Sequence, residues 1–76
     1  MMQHKIKLRP CDVKEFVEAA TRVQFDVDIA AENHFIVDAK SILGVLGLNL
    51  TRVLTVSVNG YDAEFEQYLK AFAVAC

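Results

Sequence analysis

Between Val37 and Leu48 the chain changes its hydrophobic period, and this change limits the fold more than any other feature. Val37 and Ala39 alternate with Asp38, as at the end of a half-buried strand. Ser41 then reads as a helix N-cap, because its hydroxyl accepts a backbone N–H that the first turn leaves free. The helix that follows is short, since Gly44 lies inside it and Gly47 ends it. Yet Ile42, Leu43, Val45, Leu46 and Leu48 are all apolar. One or two turns cannot bury every side against a single sheet. Either the sheet takes one face, with Val45 and Leu48, and a partner takes Ile42, Leu43 and Leu46, or the helix is wrapped more completely than its length suggests.

The rest of the chain supplies the elements around this segment. His4, Ile6 and Leu8 alternate with polar residues, which predicts a strand over 2–8 that Arg9-Pro10-Cys11 ends, because Pro10 lacks an N–H. Asp12 and Glu15 fit an acidic capping box at the start of a helix over 13–22, with Cys11 and Phe16 as its hydrophobic staple. Val13, Phe16, Val17 and Ala20 form the apolar stripe of that helix. Phe25, Val27, Ile29 and Ala31 predict a second strand with a wet opposite face. Glu32-Asn33-His34 predicts a turn, and Phe35, Val37 and Ala39 predict a third strand paired to the second as a hairpin. Residues 49–52 connect the short helix to a β-branched strand over 54–58. A last helix over 62–74 begins near Asp62, with Tyr61, Phe65, Tyr68, Leu69 and Phe72 as its stripe. Each strand has one apolar face. The expected fold is therefore α+β, an open-faced β-sandwich of a four-stranded antiparallel sheet with three helices on one face, in the order β-α-β-β-α-β-α.

Seventy-six residues make one domain, which buries only about 60% of its extended surface. A net charge of −2 with both signs spread along the chain leaves no basic footprint for nucleic acid. No apolar run approaches the roughly 20 residues of a membrane span, and the N-terminus leads straight into a strand pattern, so no membrane association and a cytoplasmic location are expected. Cys11 and Cys76 are too few for a disulfide framework and lack metal spacing, and His34 has no ligand partner at metal spacing, so no metal and no cofactor are expected.

Lys40-Ser41-Ile42-Leu43-Gly44-Val45 resembles the regulatory-serine segment of HPr, the small phosphocarrier of the bacterial sugar phosphotransferase system. Phe16-Val17 with Ala20 resembles that family's first helix, and Val56-Ser57-Val58-Asn59-Gly60 its last strand and turn. The family has the element order derived above. Its phosphoacceptor is a histidine just before the first helix, written His-x-Arg-Pro. The corresponding text here is Lys7-Leu8-Arg9-Pro10. Anchored on Arg9-Pro10, the histidine position holds Lys7. Anchored on Phe16-Val17, it holds Arg9. Both are cations without useful nucleophilicity at neutral pH. Asp12 adds a negative charge where a phosphoryl group would sit. Lys7, Arg9, Pro10, Cys11 and Asp12 thus read as a degenerate phosphocarrier site.

The resemblance also implies a regulatory role for Ser41, phosphorylated by a serine kinase, with Ile42, Leu43 and Leu46 and the adjacent Lys40 as a docking surface for a transcription regulator of the same pathway. The plainer reading makes Ser41 an N-cap and the leucines core. The expected function is a non-enzymatic regulatory or protein-binding member of the HPr family that has lost its phosphocarrier histidine. The alternative is a phosphocarrier with a non-standard acceptor such as Cys11, where a helix start can lower a thiol pKa. A third reading is a purely structural homologue that recognises an unrelated partner. His4 is assigned a structural place in the first strand.

Overall fold

A computed structural model describes residues 2–31 and 35–74. The alternation in the sequence becomes four short strands: β1 (Met2–Ile6), β2 (Val27–Ala31), β3 (Phe35–Asp38) and β4 (Leu54–Val58). They form one antiparallel sheet in the order β1-β4-β2-β3. The register carries like residues across the ladders. Ile6, Leu54 and Ala31 lie in one row, and His4, Val56, Ile29 and Val37 in another, all on the face covered by helices. Lys5, Thr55, Ala30 and Ile36 lie on the opposite, open face.

The helices are α1 (Val13–Thr21), α2 (Ile42–Leu46) and α3 (Ala63–Lys70). Phe16, Val17 and Ala20 of α1 and Phe65 and Leu69 of α3 are buried with Ile6, Ile29, Leu54 and Val56 of the sheet in one core. The rings of Phe16 and Phe65 meet with centroids 6.5 Å apart, which joins the two longer helices. β1 and β2 flank β4, and β3 and β4 flank β2, so each helical crossover spans a strand inserted later or earlier in the chain. The expected α+β open-faced sandwich is the fold observed.

Several local expectations are corrected. β1 stops at Ile6, and Leu8, though buried, lies beyond it. Between Leu8 and α1 the chain makes a 3₁₀ turn, Pro10–Asp12, and Asp12 is already in helical conformation. Its carboxylate caps nothing in α1; it turns back to accept from the Arg9 N–H at 2.9 Å. The first helical turn therefore starts at Arg9-Pro10, where proline has no N–H to leave unsatisfied. Cys11 is exposed and does not form the expected staple with Phe16. Phe25 precedes β2 and packs instead on Gly60, where an added Cβ would lie 2.4 Å from its ring. Tyr61 is exposed, outside the stripe assigned to it, and α3 ends at Lys70 rather than near 74. The predicted turn at Glu32-Asn33-His34, and Cys76, lie outside the described residues.

Candidate functional site

The early end of α3 shapes the first candidate site. After Lys70 the chain turns and runs beside the outer edge of β1. The Lys7 N–H donates to the Phe72 carbonyl at 3.1 Å, and the Val74 N–H donates to the Lys5 carbonyl at 3.0 Å. This brings 71–74 against the 3₁₀ turn and opens a groove of about 830 Å³. One wall carries Lys7, Leu8, Arg9, Pro10 and Asp12, a second carries Leu50 and Thr51, and the third is the C-terminal segment. The structure thus brings together most of the residues assigned to the degenerate site; Cys11 is exposed and does not line the groove. Leu50, Thr51 and the 71–74 wall were missed from the sequence. Phe72 and Val74 do alternate with Ala71 and Ala73, but four residues are too few to tell a strand-like period from the end of a helix.

The groove's charges are largely matched. The Arg9 guanidinium donates to both carboxylate oxygens of Asp12 at 3.2 Å. The side-chain bonds from Arg9, reinforced by its backbone N–H, hold Asp12 below the usual carboxylate range, and the same pairing raises Arg9. Lys7 has no ion pair among the described residues. No histidine lines the groove among the described residues. Its remaining polar side chain is Thr51, whose hydroxyl bonds to Asn49 in an Asx-type turn. Such a site can attract an anion but offers no neutral imidazole to attack phosphorus. His4 is elsewhere: it faces α3 from β1, with Nε2 3.0 Å from Glu66 Oε1, close but not aligned as a hydrogen bond.

The second candidate site is α2. The Ser41 hydroxyl accepts from the Gly44 N–H at 3.2 Å, an N-cap with extended backbone. Val45 is fully buried, which spends the inner face of this five-residue helix, and Leu48, just past its end, is nearly so. Leu43 is 80% exposed, Leu46 48% and Ile42 41%. Lys40 is not free beside Ser41. Its ammonium donates to the Val23 carbonyl at 3.0 Å, just past the C-terminal end of α1 where a cation suits the dipole.

No helix among the described residues is long and apolar enough to cross a membrane, and no group of three or more metal-ligating side chains occurs among them.

Comparison with known proteins agrees with this fold. No curated protein sequence matches the chain. Among solved structures, the phosphocarrier protein HPr from Bacillus anthracis str. Ames is similar at 26% identity and a TM-score of 0.72, covering 96% of each chain. HPr-C-His from Thermoanaerobacter tengcongensis shares the fold at a TM-score of 0.76 and 24% identity, over 93% of this chain and 89% of that one. The family model described as the PTS HPr component phosphorylation site matches residues 3–74. With nearly the whole chain matched and the open-faced fold in place, this chain belongs to the HPr phosphocarrier family of the phosphotransferase system.

Proposed function

We infer that this member of the family works as a cytoplasmic protein-binding regulatory module and not as a histidine phosphocarrier. The observation that carries the reading is the division of α2. A helix this short gives its sheet-facing residues to the core and leaves Ile42, Leu43 and Leu46 as an apolar patch beside a capping serine. Patches of this kind on a small domain mark docking surfaces. A phosphate on Ser41 would add about two negative charges at the edge of the patch and could accept from the free N–H groups of the first turn. With Lys40 held by Val23, that phosphate would rest on backbone donors and not on a lysine. The partners that fit are the serine kinase and the transcription regulator of the HPr pathway. In the groove, Lys7 or Arg9 stands where the family places its phosphoacceptor, so transfer from enzyme I is not expected.

The experiment has two arms. Incubation with phosphoenolpyruvate and enzyme I should leave no acid-labile phosphate on the protein; stoichiometric label at His4, or a phosphothiol at Cys11, would replace this reading with the phosphocarrier one. Incubation with an HPr-type serine kinase and ATP should label Ser41, and the labelled protein should bind the pathway's regulator. Leu43→Glu should remove that binding and keep the fold, since an exposed substitution usually costs under about 0.5 kcal/mol. Unfolding of Leu43→Glu, or unchanged binding, would refute the docking role.

A further inference from the structure

The two edges of the sheet are treated differently. The β1 edge is covered at its C-terminal end, where the C-terminal segment bonds to Lys5 and to Lys7 just beyond the strand. The β3 edge carries no covering strand among the described residues. Edge strands are ordinarily guarded by lysine, proline, a bulge or an inward charge. Phe35-Ile36-Val37 has none of these, and its only charge is Asp38 at the end. Instead, Phe35 on the helix side is 72% exposed and Ile36 on the open side is 69% exposed. Apolar side chains on both faces of an unpaired edge call for a strand that is apolar on both faces too.

We propose that β3 pairs antiparallel with β3 of a second copy, about a two-fold axis through Ile36, making one continuous eight-stranded sheet. Two independent features select the same register. The first is the backbone. The Ala39 N–H donates to the Val27 carbonyl of the neighbouring strand. Hydrogen-bonding direction alternates along an antiparallel strand, so Val37 and Phe35 also turn inward to β2, and Ile36 turns its N–H and C=O outward. Asp38 would turn outward as well, but its carbonyl already accepts from Ser41. Ile36 is therefore the residue able to exchange both bonds with its own copy. The second feature is the side chains. Centring the axis on Ile36 sets Ile36 against Ile36 on the open face and Phe35 against Val37 on the helix face, apolar against apolar in each pair. A shift of one residue would set Phe35 against Asp38 and place the two helical layers on opposite sides. In the chosen register the two Asp38 side chains stand about 13 Å apart along the strands, beyond the screening length of about 8 Å at physiological salt.

A short ladder joined by two side chains per copy buries far less than the roughly 1,200 Å² of a stable complex, so the dimer is weak and concentration-dependent. Sedimentation velocity from about 10 µM to about 1 mM should show a monomer–dimer equilibrium. Over the same range the Ile36 amide, read by NMR hydrogen exchange, should gain protection at least tenfold, while the Val37 amide, already bonded to β2, should not change. Ile36→Lys should weaken dimerisation at least tenfold, with circular dichroism unchanged, and Leu43→Glu should leave it intact. A chain that stays monomeric at the highest concentration overturns the proposal. So does a dimer whose Ile36 amide exchanges at the monomer's rate, or one that Leu43→Glu abolishes, which would move the contact to α2.

Discussion

Asp12 shows how a residue can be right in its region and wrong in its partner. Its type suits a helix start, and the sequence offers Glu15 for a reciprocal cap, yet its carboxylate serves Arg9 one turn upstream. The cause is Pro10, which begins the 3₁₀ turn and moves the first orphan donors back to Arg9. Because Asp12 is held below the ordinary carboxylate pKa, it contributes stability above the unfolded value of about 3.9, and that contribution drains as pH falls through the lower folded value. Asp12→Asn should therefore melt below the parent at neutral pH, and the gap should be smaller at an acid pH below the unfolded value of about 3.9. Calorimetry at both pH values checks this, and a constant gap would mean that the charge on Asp12 is irrelevant. Tyr68 presents the opposite case. Burial, with the negative charges of Glu15 and Asp12 behind it, pushes its phenol up to about 12 against the pull of Arg22. It thus stays neutral across the range where the Asp12 experiment runs.

At the scale of elements, the caps separate α3 from α1. Asp62 is a true N-cap, with extended backbone and Oδ1 accepting from the Phe65 N–H at 2.9 Å in a partly buried setting. Asp62→Ala should lower the unfolding free energy by about 1 kcal/mol without altering the denaturant slope. A loss near zero in urea titration would show that the first turn of α3 is held by Phe65 packing alone. The C-terminal end of α3 is less strongly specified. Its apolar stripe passes through Phe72 in the sequence, but the helix stops at Lys70 and the same residue joins the β1 edge. Phe72 still packs edge-on to Tyr68 at 5.1 Å between centroids, so the aromatic contact survives the change of backbone.

For the whole molecule, one small core carries both layers. A 76-residue domain has roughly 4 to 11 kcal/mol of net stability. Phe16 is fully buried and meets Phe65 across the helix pair. Phe16→Ala should cost about 3 to 5 kcal/mol, a large share of that total. Denaturant unfolding should show the whole chain losing stability cooperatively. A cost under about 1 kcal/mol would mean that the helical layer is coupled to the sheet mainly elsewhere. The open face is not uniformly wet, since Ala30 and Thr55 are buried there and Lys5 bonds across to Thr55 at 2.8 Å. These central positions are shielded by their neighbours along the rows, which a strand-by-strand alternation cannot reveal.

Local periodicity by itself determined the order of elements and the two sheet faces, because amphipathic residues have only one way to hide from water in a single layer of helices. For Ile42, Leu43 and Leu46 the sequence left two outcomes, an outward patch or a more completely wrapped helix, and the exposure of all three is a result of the tertiary packing. What the sequence could not decide was where segments distant along the chain meet. The groove beside Arg9 exists because 71–74 leaves the helix to bond β1, and the fate of Lys40 depends on a carbonyl at Val23. Phe35 has the strand alternation of a core residue, yet it is exposed because β3 is an edge and the core lies behind its neighbours. Edge position, long-range hydrogen bonding and the burial they bring are properties of the assembled sheet. They depend on strand order, which no window of the sequence contains.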